Sequence, residues 1–169
     1  MIRLASAIWH AGMNDGTGMI STESGALKET PFSFNPNFTS QPVTNPEELI
    51  AAAYASSYSL ALSIELDKVG LIPANMRTAA GLMIEQTESG WVINQIHLEV
   101  AAQFLKGDLD KFEIAARAAK VNCTISTLLN AKITMDAKLE IWQSFGKIER
   151  KSNAIPLGRR LVAISLQEK

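Results

Sequence analysis

Residues 45–70 read NPEELIAAAYASSYSLALSIELDKVG, and this stretch carries its own start and stop signals. Asn45 can cap a helix by accepting from exposed backbone N–H groups, and Pro46 suits the first helical position, where a missing N–H costs nothing. Glu47 and Glu48 put negative charge at the positive end of the helix dipole. Lys68 falls in the last turn, and Gly70 can take the left-handed conformation that ends a helix. About 25 residues at 1.5 Å per residue make a helix roughly 37 Å long, which crosses most of a small domain. Ile50, Ala53, Ser57, Leu60 and Ile64 share one stripe at helical spacing, with Ser57 in its middle. The alanines at 51, 52, 53, 55 and 61 let neighbouring backbones come close. Because several faces are apolar, the helix has to be covered on more than one side, by a second helix and a sheet or by a partner subunit. No charge lies between Glu48 and Glu65, but four serines and two tyrosines interrupt that run, so it reads as a core helix and not as a membrane span.

Upstream of this helix, residues 2–10 alternate in strand fashion, with Ile2, Leu4 and Ile8 on one side. Asn14-Asp15-Gly16 supplies turn chemistry, and Gly18 marks a bend or a close backbone approach. Residues 19–24 return as a strand, Ser24-Gly25 turns again, and a third strand is expected from Ala26 to Phe34. The result is a three-stranded antiparallel meander. Residues 35–44, with two prolines, form a loop into the helix.

Downstream, residues 76–85 and 91–104 read as two strands joined through Thr87 to Gly90, with Val92, Ile96, Leu98 and Val100 on one face. Asp108 or Asp110 can cap a second helix ending near Asn122, with Phe112, Ile114, Ala115, Ala118 and Ala119 apolar. Cys123 follows at its end. Residues 124–129 suggest another helical turn or two, and 132–142 another strand. Residues 1–142 are therefore read as the main domain. Residues 143–169, with Lys147, Arg150, Lys151, Arg159 and Arg160, are read as a basic extension forming a further strand, a short helix or a partly ordered tail.

At 169 residues and 47% hydrophobic composition, one well-filled core is affordable. Sixteen basic and seventeen acidic residues nearly cancel, which gives no global field toward nucleic acid or an anionic membrane. A single cysteine excludes an internal disulfide and fits a reducing, cytoplasmic setting. The first sixteen residues have too short an apolar run and too little positive charge for a signal peptide. His10 and His97, far apart, give no zinc pattern, so no metal and no cofactor is expected. There is no G-x-S-x-G elbow around Ser56 and Ser57, and Gly16-Thr17-Gly18 lacks the lysine and the strand–helix context of a phosphate loop.

One distributed arrangement stands above this background: the N-P-E-E helix start, a small polar residue ten positions on, and a thiol at the end of a second helix. On these residues the chain resembles the OsmC/Ohr family of thiol-dependent organic hydroperoxide reductases, in its OsmC branch. Gly16-x-Gly18 with ISTESGAL, FSFNPNF, TNPEELIAAAYAS with SLALSIEL, and Ala118-Ala119-Lys120-x-x-Cys123 with LLNAKITMDAKL carry the resemblance over residues 7–139. It implies an α+β swapped homodimer, with two long central helices back to back, curved antiparallel sheets outside and sites at the subunit interface. It also implies chemistry in which a thiolate attacks the peroxide, a positive charge held by an acidic residue keeps the thiolate ionised, and a second cysteine resolves the sulfenic acid. An external dithiol then restores the reduced form.

By that resemblance Glu47 matches the acidic positioning residue and Cys123 the resolving cysteine. Ser57, in Ala55-Ser56-Ser57-Tyr58-Ser59, stands where the peroxide-attacking cysteine belongs, and Asp15 stands where an arginine is expected. A serine hydroxyl is scarcely a nucleophile without an adjacent base, and Asp15 beside Glu47 repels an anion. The expectation is a stress-linked family member that keeps the dimer and its pocket for a small apolar or hydroperoxide ligand but has lost efficient two-cysteine peroxidase activity. The rival expectation is a one-cysteine reductase working through Cys123 with a dithiol reductant. A third is a non-catalytic interaction protein whose basic extension docks a partner.

Overall fold

The computed structural model describes residues 1–12, 15–33, 42–88, 90–142 and 159–166, with the backbone alone for 142 and 159–166. Asn14 of the first turn, Phe34 and most of the loop after it, Ser89, and the basic residues Lys147, Arg150 and Lys151 lie outside the described residues. The chain divides into two units, Met1–Ile50 and Ala51–Lys169.

In the first unit, β1 (Ala5–His10), β2 (Thr17–Thr22) and β3 (Thr30–Phe32) make an antiparallel sheet in that order. The third strand is shorter than the Ala26–Phe34 expected from alternation. Thr22 N–H donates to the Leu27 carbonyl at 2.9 Å and Leu27 N–H donates to Thr22 Oγ1 at 3.1 Å. Gly25 and Glu29 both have positive φ, at 73° and 48°. This local bonding holds the intervening residues in turns and competes with strand pairing. Gly18 is required by a close approach, since a Cβ there would come within 2.4 Å of the Phe32 ring.

The long helix, α1 (Pro46–Lys68), begins as its sequence signals indicate. Asn45 Oδ1 accepts from Glu48 N–H at 2.8 Å, and the Thr44 hydroxyl donates to Glu48 Oε2 at 2.8 Å. At the far end Gly70 takes φ 72°, and Leu71 N–H reaches back to the Leu66 carbonyl at 2.9 Å, the bond that closes a Schellman turn.

The second unit contains a four-stranded sheet of β4 (Asn75–Thr87), β5 (Gly90–Phe104), β6 (Lys132–Trp142) and β7 (Arg159–Leu166), adjacent in that order. β4 and β5 form the expected antiparallel hairpin, with a register shift at Met83/Ile84. β5 and β6 run parallel, so this sheet is mixed and not purely antiparallel. Parallel neighbours need a crossover, and α2 (Leu109–Asn122) with α3 (Thr124–Leu128) provides it. Asp108, one of the two candidate caps, accepts from Lys111 N–H at 3.1 Å. β7 pairs antiparallel with β6, so Arg159 and Arg160 sit in a strand.

The core collects Ile96, Leu98, Val100, Ala102 and Phe104 from β5 and Met135, Ala137 and Leu139 from β6. Phe112, Ala115, Ala116 and Ala119 come from α2, with Phe112 edge-on to Phe104 at 5.9 Å. The contribution of α1 corrects the sequence reading. Its buried side chains are Tyr54, Tyr58, Leu62, Glu65 and Leu66, whereas Leu60 and Ile64 of the expected stripe are 69% and 58% exposed. Both stripes are apolar, and the larger tyrosine rings bury more surface. Ile114, expected on the apolar face of α2, is likewise exposed. By length and composition α1 could cross a membrane, but the tyrosine stripe places it in the core of this unit.

Leu62 is fully buried on α1. Leu62→Ala should cost about 2–5 kcal/mol, the range for a buried leucine with its cavity left open. Urea titration checks this as a lower unfolding midpoint with an unchanged slope.

Candidate functional site

Ser57 lies half-buried beside the tyrosine stripe of α1. Cys123 sits where α2 gives way to α3, as the C-cap of one and the N-cap of the other, in extended conformation at φ −68° and ψ 123°. Its N–H still reaches the Ala119 carbonyl at 2.9 Å, and its own carbonyl accepts from Thr127 N–H at 3.3 Å. This break between helices turns the sulfur onto α1. The Cys123 thiol donates to Ser57 Oγ at 3.3 Å, across 66 residues of sequence.

Two opposing effects set the ionisation of that thiol. Burial raises it, because a charged sulfur loses water. In the ionised form the sulfur accepts instead, and hydrogen bonds from the Ser57 hydroxyl, from the N–H and hydroxyl of Ser126 and from the Ile125 N–H act the other way, together holding Cys123 below the usual thiol value. The tyrosines behind it stay neutral. Burial raises Tyr54 despite its 2.9 Å bond to the Ser126 hydroxyl, and burial raises Tyr58, whose hydroxyl donates to the Ala116 carbonyl at 3.1 Å.

An open groove of about 520 Å³ runs along α1 from this pair. Ser57 and Thr124 line one end, Leu60, Ala61 and Ile64 its wall, and Glu65, Lys68 and Asn122 the other end. Glu65 Oε1 accepts from Lys68 Nζ and from Asn122 Nδ2, each at 2.8 Å. These bonds, the lysine's first, hold the carboxyl below its usual value against a smaller opposing effect of burial.

The structure thus brings together Ser57 and Cys123 of the four expected site residues. Glu47 and Asp15 belong to the first unit. Glu47 lies half-buried in the first turn of α1, where Glu48 takes the capping bond instead, and Asp15 is exposed in the loop between β1 and β2. Sequence reasoning missed Ser126, Glu65, Lys68 and Asn122. Only the Glu65–Lys68 spacing, three apart on a helix, offered a signal. Among the described residues no group of three or more His, Cys, Asp or Glu could hold a metal. His97 instead meets Thr134 Oγ1 at 2.8 Å and Asp136 at 3.8 Å.

Ser57→Ala removes one of the donors that favour the thiolate, so the Cys123 titration should move to higher pH. Ultraviolet thiolate absorbance against pH measures it. The sign of the linked stability follows from the depressed value. The contribution of Cys123 is full above the unfolded thiol value and is lost as pH falls through the folded one, and Ser57→Ala shrinks it.

Comparison with known proteins agrees with this fold. Residues 39–138 match the OsmC-like protein family, a span that includes Glu47, Ser57 and Cys123 and leaves Asp15 outside. The chain is 37% identical over 134 residues to peroxiredoxin OsmC of Escherichia coli, covering 79% of this chain and 94% of that protein. Among solved structures, an OsmC-like protein of unknown function from Vibrio cholerae superposes with TM-score 0.68 at 17% identity, over 81% of this chain and 99% of its own. The organic hydroperoxide resistance protein OhrB of Bacillus subtilis gives TM-score 0.58 at 23% identity, over 79% of this chain and 97% of its own. With more than half its length matched to the family and a curated relative at this identity, the chain belongs to the OsmC-like proteins.

Proposed function

We propose that this protein is a cytoplasmic OsmC-family homodimer that keeps the ligand-binding housing of a hydroperoxide reductase but has lost the two-cysteine cycle. The observation that carries the reading is the 3.3 Å contact between Cys123 Sγ and Ser57 Oγ. It joins the two positions to which the family resemblance assigns the resolving and the peroxide-attacking cysteine. In the two-cysteine cycle one thiolate attacks the O–O bond, becomes a sulfenic acid and releases an alcohol. The second thiol then condenses with it, forming a disulfide and water. With oxygen at residue 57 the first attack lacks its nucleophile and the disulfide has only one sulfur. By the same resemblance Asp15 stands where the family has the arginine that favours a thiolate.

Apolar surface supports the dimer. No hydrophobic side chain among the described residues of Met1–Ile50 is buried; Ile8 is 61% and Met19 49% exposed. A three-stranded sheet without a covered hydrophobic face is not stable alone. In the second unit Leu60 and Ile64 leave the outer face of α1 uncovered. A second copy over both surfaces would supply what each lacks.

A second reading rests on the lowered thiol of Cys123. A thiolate favoured by hydrogen bonds could attack a peroxide by itself, giving a sulfenic acid that an external dithiol reduces with loss of water. The near-complete burial of Cys123, 1% exposed, weighs against rapid attack.

Assay with cumene hydroperoxide and dihydrolipoamide should give no sustained turnover, and Ser57→Cys combined with Asp15→Arg should raise the rate measurably. Robust native turnover abolished by Cys123→Ser would establish the one-cysteine reading instead. Sedimentation equilibrium should give a dimer at micromolar concentration, and Ile64→Glu should dissociate or unfold it. A native monomer of full stability would remove the dimer from the proposal.

A further inference from the structure

We infer that Tyr54 is a positioning residue for Cys123: its buried hydroxyl donates to Ser126 Oγ and thereby turns the single hydrogen of the Ser126 hydroxyl onto the sulfur. The inference goes beyond the reading above, because it concerns which form of the thiol the site favours and not whether peroxide is turned over.

The direction of the Tyr54–Ser126 bond carries the argument. The two oxygens lie 2.9 Å apart, and either one is able to donate in principle. Tyr54 is fully buried, and among the described residues Ser126 Oγ is the hydrogen-bond partner of its hydroxyl. Were Ser126 the donor, the phenol hydrogen would be left in the core without an acceptor, which costs more than the bond returns. A phenol is also a stronger acid than an alkyl hydroxyl, so it is the better donor of the two. Tyr54 therefore donates and Ser126 accepts.

A serine hydroxyl has one hydrogen and two lone pairs. With a lone pair engaged by Tyr54, the hydrogen of Ser126 is free for Cys123, to which this hydroxyl bonds when the sulfur is ionised. Accepting from Tyr54 also polarises the Ser126 O–H and strengthens its donation. On ionisation only Ser57 has to reverse, from accepting the thiol hydrogen to donating its own, while Ser126 is already set. Tyr58 offers a control within the same helix. It is as deeply buried, but its hydroxyl ends on the Ala116 carbonyl at 3.1 Å and orients no donor to the sulfur.

Other titrating groups do not confuse the comparison. From α1, Tyr54 and Tyr58 face Cys123, and burial keeps both neutral where a thiol titrates. On α2, Lys120 precedes the cysteine by three residues. The paired Glu65 and Lys68 begin about 12 Å along α1 from Ser57. The core cluster around the sulfur is otherwise apolar, apart from the tyrosine hydroxyls. These charges are common to every variant below and drop out of the differences.

A pH titration of the native full-length protein labelled with [13Cβ]cysteine tests the inference by NMR, since Cys123 supplies the one cysteine resonance. Ser126→Ala should raise the thiol midpoint by about one pH unit, and Tyr54→Phe by about half a unit or more. Tyr58→Phe should lower stability and leave the midpoint in place. In the Ser126→Ala background Tyr54→Phe should add no further shift, and Ser126→Thr, which keeps the hydroxyl, should restore the native midpoint. Circular dichroism checks the fold of each. Should Tyr54→Phe fail to fold, 3-fluorotyrosine placed at residue 54 keeps the ring and the hydroxyl, and its stronger donation should move the midpoint to lower pH. A native midpoint in folded Tyr54→Phe, an equal shift in Tyr58→Phe, a Tyr54 effect undiminished without the Ser126 hydroxyl, or no downward shift with the fluorinated ring would overturn the inference. The titration contains neither peroxide nor dithiol, so its failure leaves the peroxidase reading standing, and turnover in the peroxidase assay leaves this inference untouched.

Discussion

Tyr58 donates its hydroxyl to the backbone carbonyl of Ala116 at 3.1 Å, deep between α1 and α2, while Tyr54 one turn earlier reaches Ser126 beyond the end of α2. These two contacts fix the rotation of α1 about its own axis. A buried tyrosine covers about 150–250 Å², which at about 25 cal/mol per Å² gives an upper figure of about 4–6 kcal/mol per ring. Each hydroxyl bond adds only about 1 kcal/mol net, but a buried hydroxyl left unpaired would cost about 1–3 kcal/mol. Rotating α1 to bury Leu60 and Ile64 instead would forfeit both. Ser57 lies one residue before Tyr58, so the rotation that seats the tyrosines also turns Ser57 toward Cys123. The site follows from the packing.

At Cys123 desolvation and hydrogen bonding compete, and the outcome depends on how many donors converge. One hydroxyl would not offset the loss of water around a thiolate. The break between α2 and α3 adds the N–H groups of Ile125 and Ser126 and the Ser126 hydroxyl, and the balance then falls toward the ion. In a two-cysteine site the same surroundings would serve a resolving thiol facing a sulfenic acid. With oxygen opposite, they surround a sulfur whose neighbour is a hydroxyl that accepts from the thiol and donates to the thiolate.

Local signals in the chain carried the elements well. Asn45, Pro46 and Gly70 bracket α1 because caps act within a turn or two, and Asp108 starts α2 for the same reason. Alternation placed β4, β5 and β6 because each has one covered face. What was not legible was set by distant residues. Whether the Leu60–Ile64 stripe or the tyrosine stripe of α1 faces the sheet depends on Ala116 and Ser126, some sixty to seventy residues away. The parallel pairing of β5 with β6 depends on the crossover through α2, which periodicity does not report. The third strand fell short because Thr22 and Leu27 bond locally. Ser57 and Cys123 were named from the resemblance and meet in space, while Glu65 passed unnoticed because a charged residue near a helix end reads as solvated.

Glu65 joins α1 to α2 at the end away from the tyrosines. Lys68 and Asn122 both donate to this carboxylate and favour its ionised form, and Asn122 belongs to α2. The same oxygen therefore ties the far end of α1 to the helix that presents Cys123. Its depressed ionisation fixes the direction of the pH effect. The contribution to stability is present above the unfolded carboxyl value and lost as pH falls through the folded one. On protonation Lys68 loses its counter-charge, and the tie between the two helices is weakened from the groove end while the tyrosines still hold the core end.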